Sequence, residues 1–168
     1  KQVPDTTEIR IDPVKKTLIR TGVPSIMNPF DVNAVEAALK LKDQYGGEVT
    51  VISMGPPQAK VILREALAMG ADHAYLVTDR AFGGSDTYAT SYILSQALKK
   101  FGPFDVVLGG KQAIDGDTAQ VGPELAEHLG LPQVTYGLEA ELDGDMLKVK
   151  KEVEEGAEII GVHLPCLV

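Results

Sequence analysis

From Asn28 to Leu129, apolar runs of strand length alternate with segments of helical spacing, and short loops join them. That alternation constrains the fold more than any other feature. Neighbouring parallel strands need a crossover, and a helix is the crossover that fits. Asn28-Pro29-Phe30-Asp31 opens the first helix, with Val32, Val35, Leu39 and the stem of Lys42 at helical spacing until Gly46-Gly47. Glu48 to Met54 is rich in β-branched residues and reads as a strand. Gly55-Pro56-Pro57 turns the chain. A second helix covers Gln58 to Met69, with Val61, Ile62, Ala66, Leu67 and Met69, and Gly70 ends it. Asp72 to Thr78 holds the next strand. Thr87 to Phe101 is a third helix, with Tyr92, Ile93, Ala97 and Leu98 towards the core. Gly102-Pro103 breaks it. A strand over Asp105 to Gly110 and a helix over Ala119 to Leu129 follow, so a parallel sheet with right-handed crossovers is expected.

The pattern changes after Pro132. Residues Gln133 to Val168 alternate without helices, and Asp143-Gly144 is a hairpin signal. Glu155-Gly156 marks a second turn, so the tail is expected to be an antiparallel extension. The charge runs Lys148 to Lys151 and Glu152 to Glu158 read as solvated strand faces. Glu8 to Arg20 alternates weakly around Pro13, as a short hairpin or extended flap would. Lys1 to Asp5 reads as the exit of a strand into a turn. Both ends read as cut from a longer chain.

A length of 168 residues favours one domain, spanning residues 1–168, and is enough to bury roughly 70% of the extended-chain surface. The net charge of −8 argues against a nucleic-acid surface. Cys166 is the single cysteine, so an internal disulfide is impossible. With no signal-peptide pattern and no apolar run of about 18–20 residues, a cytoplasmic protein without direct membrane insertion is expected.

The chemistry concentrates in G-G-K-Q-A-I-D-G-D-T-A-Q-V-G, Gly109 to Gly122. A strand, a glycine-bearing loop and a helix start direct backbone N–H groups at one spot, which suits a phosphate. Asp117 or Thr118 can cap the helix, with Gln120 completing a capping box. The N–H groups of Thr118, Ala119 and Gln120 lie at the helix start. Gly116 and Gly122 allow close approach. Asp115 and Asp117 oppose an anion: two unit charges about 5 Å apart repel by roughly 3 kcal/mol at an effective dielectric near 20. A helix terminus returns only about 0.3–1 kcal/mol, and about 2 kcal/mol when partly buried. The carboxylates must therefore point away, capping N–H groups or pairing with Lys111. The same residues also read as a plain capped helix after a tight turn.

Three other loops are expected at this sheet edge: Val3-Pro4-Asp5, Asn28-Pro29-Phe30 and Ser53-Met54-Gly55-Pro56. Gly83-Gly84-Ser85-Asp86-Thr87 is similar to the S-G-G-x-D-S loop of ATP pyrophosphatases. It lacks the leading serine and the spacer, and reads better as a helix cap. His73, His128 and His163 have no metal-ligand spacing. Cys166 has no base beside it and suits a buried apolar role.

Four stretches carry a resemblance: K-Q-V-P-D-T (Lys1–Thr6), M-N-P-F-D (Met27–Asp31), A-L-A-M-G-A-D (Ala66–Asp72) and G-K-Q-A-I-D-G-D-T-A-Q-V-G-P (Gly110–Pro123). With K-K-E-V-E-E-G (Lys150–Gly156) and L-P-C-L-V (Leu164–Val168), they resemble the beta subunit of electron transfer flavoprotein along essentially the whole chain. The resemblance implies an α/β fold with a Rossmann-like parallel sheet and flanking helices, of the adenine-nucleotide-binding type. It implies a heterodimer with an alpha subunit that carries FAD. It also implies a nucleotide in this chain: a structural AMP in one branch, or in the electron-bifurcating branch an FAD that accepts a hydride from NADH. In that family Asn28, Pro29, Phe30, Met54 and the segment from Asp115 to Ala126 would line the pocket, and Asp117 to Gly122, Val121 included, would hold the phosphates. The AMP branch has an acidic residue where Gly116 stands and Asn where Ala119 stands, so the wording here is similar to the bifurcating branch. Val3-Pro4-Asp5 also resembles that branch, where this loop approaches the flavin.

The expected cofactor-binding set is Val3, Pro4, Asp5, Asn28, Pro29, Phe30, Ser53, Met54, Gly55, Gly110, Asp115, Gly116, Asp117, Thr118, Ala119, Gln120, Val121 and Gly122. No catalytic side chain and no metal are expected. Outside partners would be an acyl-CoA, lactate or similar dehydrogenase, or a quinone reductase. The family also implies a strand before Lys1 and segments beyond Val168. A passive AMP-holding subunit and a homodimeric stress-type ATP-binding module are the competing readings.

Overall fold

The computed structural model describes residues 1–5 and 24–168. The hairpin or flap expected over Glu8 to Arg20 lies outside them. Strand β1 (Gln2–Pro4) pairs antiparallel with β2 (Ser25–Met27), so Lys1 to Asp5 is a strand in its own right. Helix α1 (Pro29–Tyr45) starts on a proline whose missing N–H costs nothing in a first turn. It ends at Gly46 (φ 80°), whose N–H closes on Lys42 O at 2.8 Å. Strand β3 (Thr50–Met54) follows, then a 3-10 turn (Pro57–Ala59) and helix α2 (Lys60–Met69). Strand β4 (His73–Val77) lies parallel to β3 in full register, Thr50 opposite His73 and Met54 opposite Val77.

Helix α3 covers Thr87–Phe101, and Asp86 Oδ1 accepts from Ala89 N at 2.8 Å. The glycine-serine-aspartate segment before it is therefore a helix cap, as its sequence suggested. Tyr92 was expected on the core side of α3, but it is 52% exposed. The buried face instead carries Ser91, Ser95 and Ala97. Small residues let α3 and α4 (Val121–Leu129) pack closely, and Glu124 of α4 accepts from Thr87 Oγ1 at 3.0 Å. The serine hydroxyls are satisfied three residues back, on Tyr88 O and Tyr92 O. In α2, likewise, Val61 and Leu67 lie outward while Ile62, Leu63 and Ala66 are buried.

Strand β5 (Val106–Val107) precedes the long loop to α4. The tail is antiparallel through β6 (Gly137–Asp143), β7 (Met146–Val153) and β8 (Gly156–His163), with two-residue turns at Gly144-Asp145 and Glu154-Glu155. Its solvated face carries ion pairs, Lys148 with Asp143 and Lys150 with Glu139. The last residues depart from the expected antiparallel tail. Strand β9 (Cys166–Leu167) runs parallel to β5, and on its other side Val134 N donates to Leu167 O at 2.9 Å. Pro165 cannot donate a ladder hydrogen bond, and the chain leaves β8 just before it.

This insertion joins two layers. Val134, Leu147, Val149, Val162 and Cys166 form one buried cluster beneath the antiparallel sheet. Leu167 belongs to a second, with Leu125 and Ala126 of α4. Met27, Val35, Ile62 and Ala66 form a third between α1 and α2. Cys166 is buried, as its lone position suggested, and burial pushes its thiol pKa up. Among the described residues, no helix is long and apolar enough to cross a membrane.

The end of α1 is tied down by charge. Lys42 Nζ donates to both Asp72 oxygens (2.7 and 2.8 Å), and Asp72 Oδ2 also accepts from Val49 N at 2.8 Å. The hydrogen bond from Lys42 holds the Asp72 pKa below its ordinary value, with Val49 N adding to the shift. A lowered carboxylate pKa stabilises the fold above the unfolded value, about pH 4, and that contribution is lost as the pH falls through the lowered value. Asp72→Asn is expected to lower the neutral-pH unfolding midpoint and to flatten its decline below pH 4. Thermal melts across that range would read both effects.

Candidate functional site

The loop from β5 to α4 is held by residues far away in sequence. Asn28 is 1% exposed, and its amide faces the loop. Its Nδ2 donates to Gln112 O at 2.8 Å, and its Oδ1 accepts from Ile114 N at 3.2 Å. Its backbone N–H donates to Lys1 O (2.8 Å), and its carbonyl starts α1 by accepting from Asp31 N and Val32 N. Asp31 Oδ1 accepts from Gly110 N at 3.0 Å, while Asp31 Oδ2 lies 2.6 Å from the backbone nitrogen of Lys1. The loop is thus pinned at residues 110, 112 and 114 by Asn28 and Asp31 at the start of α1.

Gly110 is required by this approach. A Cβ there would stand 2.5 Å from Asp31 Oδ1 and 2.6–2.7 Å from backbone atoms of Phe30 and Asp31. Gly116 is the opposite case: a Cβ would meet nothing within 4 Å. Gly122 is intermediate, with an ordinary contact to Leu167 at 3.9 Å.

Both carboxylates of the loop are occupied, with different partners from those expected. Asp115 Oδ1 accepts from Lys1 Nζ at 2.6 Å, with its side chain only 7% exposed. Lys111 instead lays its ammonium 4.6 Å from the ring centroid of Tyr136. Asp117 was expected to cap α4 but accepts from the Gln112 side-chain amide. Helix α4 begins at Val121, and Gln120 occupies the cap position without a side-chain hydrogen bond. The capping box is therefore absent, because a loop amide competes successfully for the Asp117 carboxylate.

Asp117 (φ 53°) and Ala119 (φ 54°) are left-handed. Ala119 offers no polar side chain to offset a cost of about 1–3 kcal/mol. Gln120 returns to the right-handed region. Successive residues of opposite hand aim their N–H groups into one concavity suited to an anion. Among the described residues, nothing accepts from the N–H groups of Thr118, Ala119 and Gln120.

The other expected site residues fall into two groups. Val3, Pro4 and Asp5 lie on or beside β1, where Val3 and Pro4 pair with β2, and Asn28, Pro29 and Phe30 start α1, from which Asn28 reaches the pinned loop. Ser53, Met54 and Gly55 close β3, where Gly55 N donates to Val77 O at 3.1 Å. Among the described residues, no hydrogen bond ties them to residues 110–122. Lys1, Asp31 and Gln112 were not read as site residues. Only Gly110 hinted at them, by implying that something approaches closely there.

Residues 15–168 match the electron transfer flavoprotein domain family. This chain belongs to that family. It is 66% identical over its whole length to an electron transfer flavoprotein subunit beta of Clostridium acetobutylicum. It is 57% identical over its whole length to the caffeyl-CoA reductase-Etf complex subunit CarD of Acetobacterium woodii. It is also 53% identical over its whole length to the protein FixA of Azorhizobium caulinodans. The chain spans 64%, 64% and 62% of the length of these relatives. The resemblance drawn from Gly110 to Pro123 and the other stretches is borne out at the level of the electron transfer flavoprotein beta subunit.

The two loop glycines should separate in stability. Gly110→Ala is expected to cost about 1–3 kcal/mol, the range for forced overpacking. Gly116→Ala should change stability by less than about 0.5 kcal/mol, as at an open surface position. Urea unfolding of both variants checks this, and equal costs would contradict the packing account.

Proposed function

We propose that this chain is the nucleotide-binding part of a beta subunit of the electron-bifurcating kind. It holds an FAD that serves NADH oxidation, in a cytoplasmic heterodimer whose alpha subunit carries a second FAD. The two parallel strand pairs and their helices are read as one Rossmann-like sheet of the adenine-nucleotide-binding type.

The carrying observation is the set of N–H groups at Thr118, Ala119 and Gln120 that have no acceptor among the described residues, beside a glycine where a Cβ would meet nothing. These donors fit a diphosphate. Nearby carboxylates are drawn off by Lys1 and Gln112, so they do not occupy the cradle. The Thr118 hydroxyl and Gln120 amide add further donors. Val121 and Gly122 continue the cradle into α4. Asn28, Pro29, Phe30 and Met54 would line the rest of the pocket, with Ser53 and Gly55 beside them and Val3, Pro4 and Asp5 nearer the ring. When bound, the flavin supplies the hydride and electron chemistry. The protein binds it, orients it and screens it from water. No side chain of the site is expected to act as an acid or base, since the flavin carries the chemistry.

The relative from Acetobacterium woodii is named as a subunit of a caffeyl-CoA reductase complex. That supports an acyl-CoA dehydrogenase as the outside partner here, while a lactate or similar dehydrogenase and a quinone reductase rest on the family resemblance alone.

Acid release of nucleotide from the full-length heterodimer should yield two FAD per αβ pair. One FAD with one AMP would leave the family assignment standing and overturn the bifurcating reading. Gly116→Asp puts a charge where a Cβ alone meets nothing, and it should empty the beta site of FAD while the protein stays folded. Retention of that FAD would contradict the role given to Gly116.

A further inference from the structure

We infer that Lys1 is a positioning residue for the nucleotide site, acting through Asp115. The inference rests on the reading that a nucleotide diphosphate occupies the amides of Thr118, Ala119 and Gln120. Lys1 touches none of these amides. It is held at three points: its carbonyl accepts from Asn28 N (2.8 Å), its backbone nitrogen lies 2.6 Å from Asp31 Oδ2, and Nζ lies 2.6 Å from Asp115 Oδ1. The side chain of Asp115 is only 7% exposed, against 45% for Lys1. A carboxylate so enclosed needs compensating charge, and Lys1 brings a cation to ion-pair distance of it.

Two consequences follow for the loop. First, the ion pair adds residue 115 to the points where the loop is pinned, beyond residues 110, 112 and 114. It fixes the last stretch before the left-handed residues Asp117 and Ala119. Second, Lys1 cancels the negative charge that stands two residues from Asp117 and three from Thr118. The weaker that offset, the more Asp115 repels the phosphates the amides are set to receive. Lys111 lies nearer in sequence but is turned to Tyr136 and does not supply the compensation.

A pure packing role and an electrostatic role make different predictions. Lys1→Met keeps the length and removes the charge. In the intact heterodimer it should speed release of the beta-subunit nucleotide by about tenfold, within the range for residues of one ion-pair network. Lys1→Arg should release near the native rate. The double variant Lys1→Met/Asp115→Asn should recover part of the loss, because the repulsion by the Asp115 carboxylate goes while the pin at residue 115 stays lost. Native-rate release from Lys1→Met would overturn the inference, and so would a double variant no better than the single one. Release is followed by filtration and chromatography, which identify the nucleotide as well as its rate. A nucleotide whose release ignores Lys1 sinks this inference alone. A beta subunit that carries none sinks this inference and the proposed function together.

Discussion

Both ends of the Asn28 amide are engaged in the core of the site, one holding Gln112 O and the other Ile114 N. A primary amide carries its donor and its acceptor on separate atoms, which suits two backbone groups two residues apart. Aspartate would lose the donor, and leucine would orphan both backbone groups at about 1–3 kcal/mol each. The same residue caps α1 through its carbonyl and joins β1 through its N–H. Strand, helix and loop therefore share one fixed point. Everything proposed for the site depends on that point, because the phosphate donors lie only a few residues further along the loop.

Rigidity has a purpose in such a loop. Asp117 and Ala119 sit in left-handed backbone, and strain of this kind persists only where the surroundings over-determine it. The pins at residues 110 to 115 supply one boundary and α4 the other. Between them the amides of Thr118, Ala119 and Gln120 have no acceptor among the described residues. A ligand that meets a preformed cradle loses less entropy on binding. The acidic character of the loop, which at first opposes an anion, becomes part of the scaffold, with Lys1 and Gln112 drawing the carboxylates aside.

Much of the architecture was legible because proline and glycine punctuate it. Helix α3 has the bounds its sequence predicted, Thr87–Phe101, and α1 runs from Pro29 to the residue before Gly46. Other features depend on contacts that no local pattern contains. Periodicity gave α3 an apolar stripe with Tyr92 in it, but Ser91 and Ser95 won the buried face because α4 lies close. Strand β9 has two residues, too few to show a period, and its parallel partner β5 lies some sixty residues earlier. For Asp115, sequence proximity favoured Lys111, whereas the fold delivers Lys1 from 114 positions away. Asp117 looked like a cap, yet the Gln112 amide claimed it. The Gly109–Gly122 stretch was legible as a site. The machinery that holds it in place was not.

The most direct measurement is density for the intact αβ complex with its nucleotides bound. The account predicts a diphosphate within hydrogen-bond distance of the Thr118, Ala119 and Gln120 amides, with Asp115 still turned to Lys1. A bound dinucleotide whose phosphates lie elsewhere, or amides closed off by the Asp117 carboxylate, would contradict it.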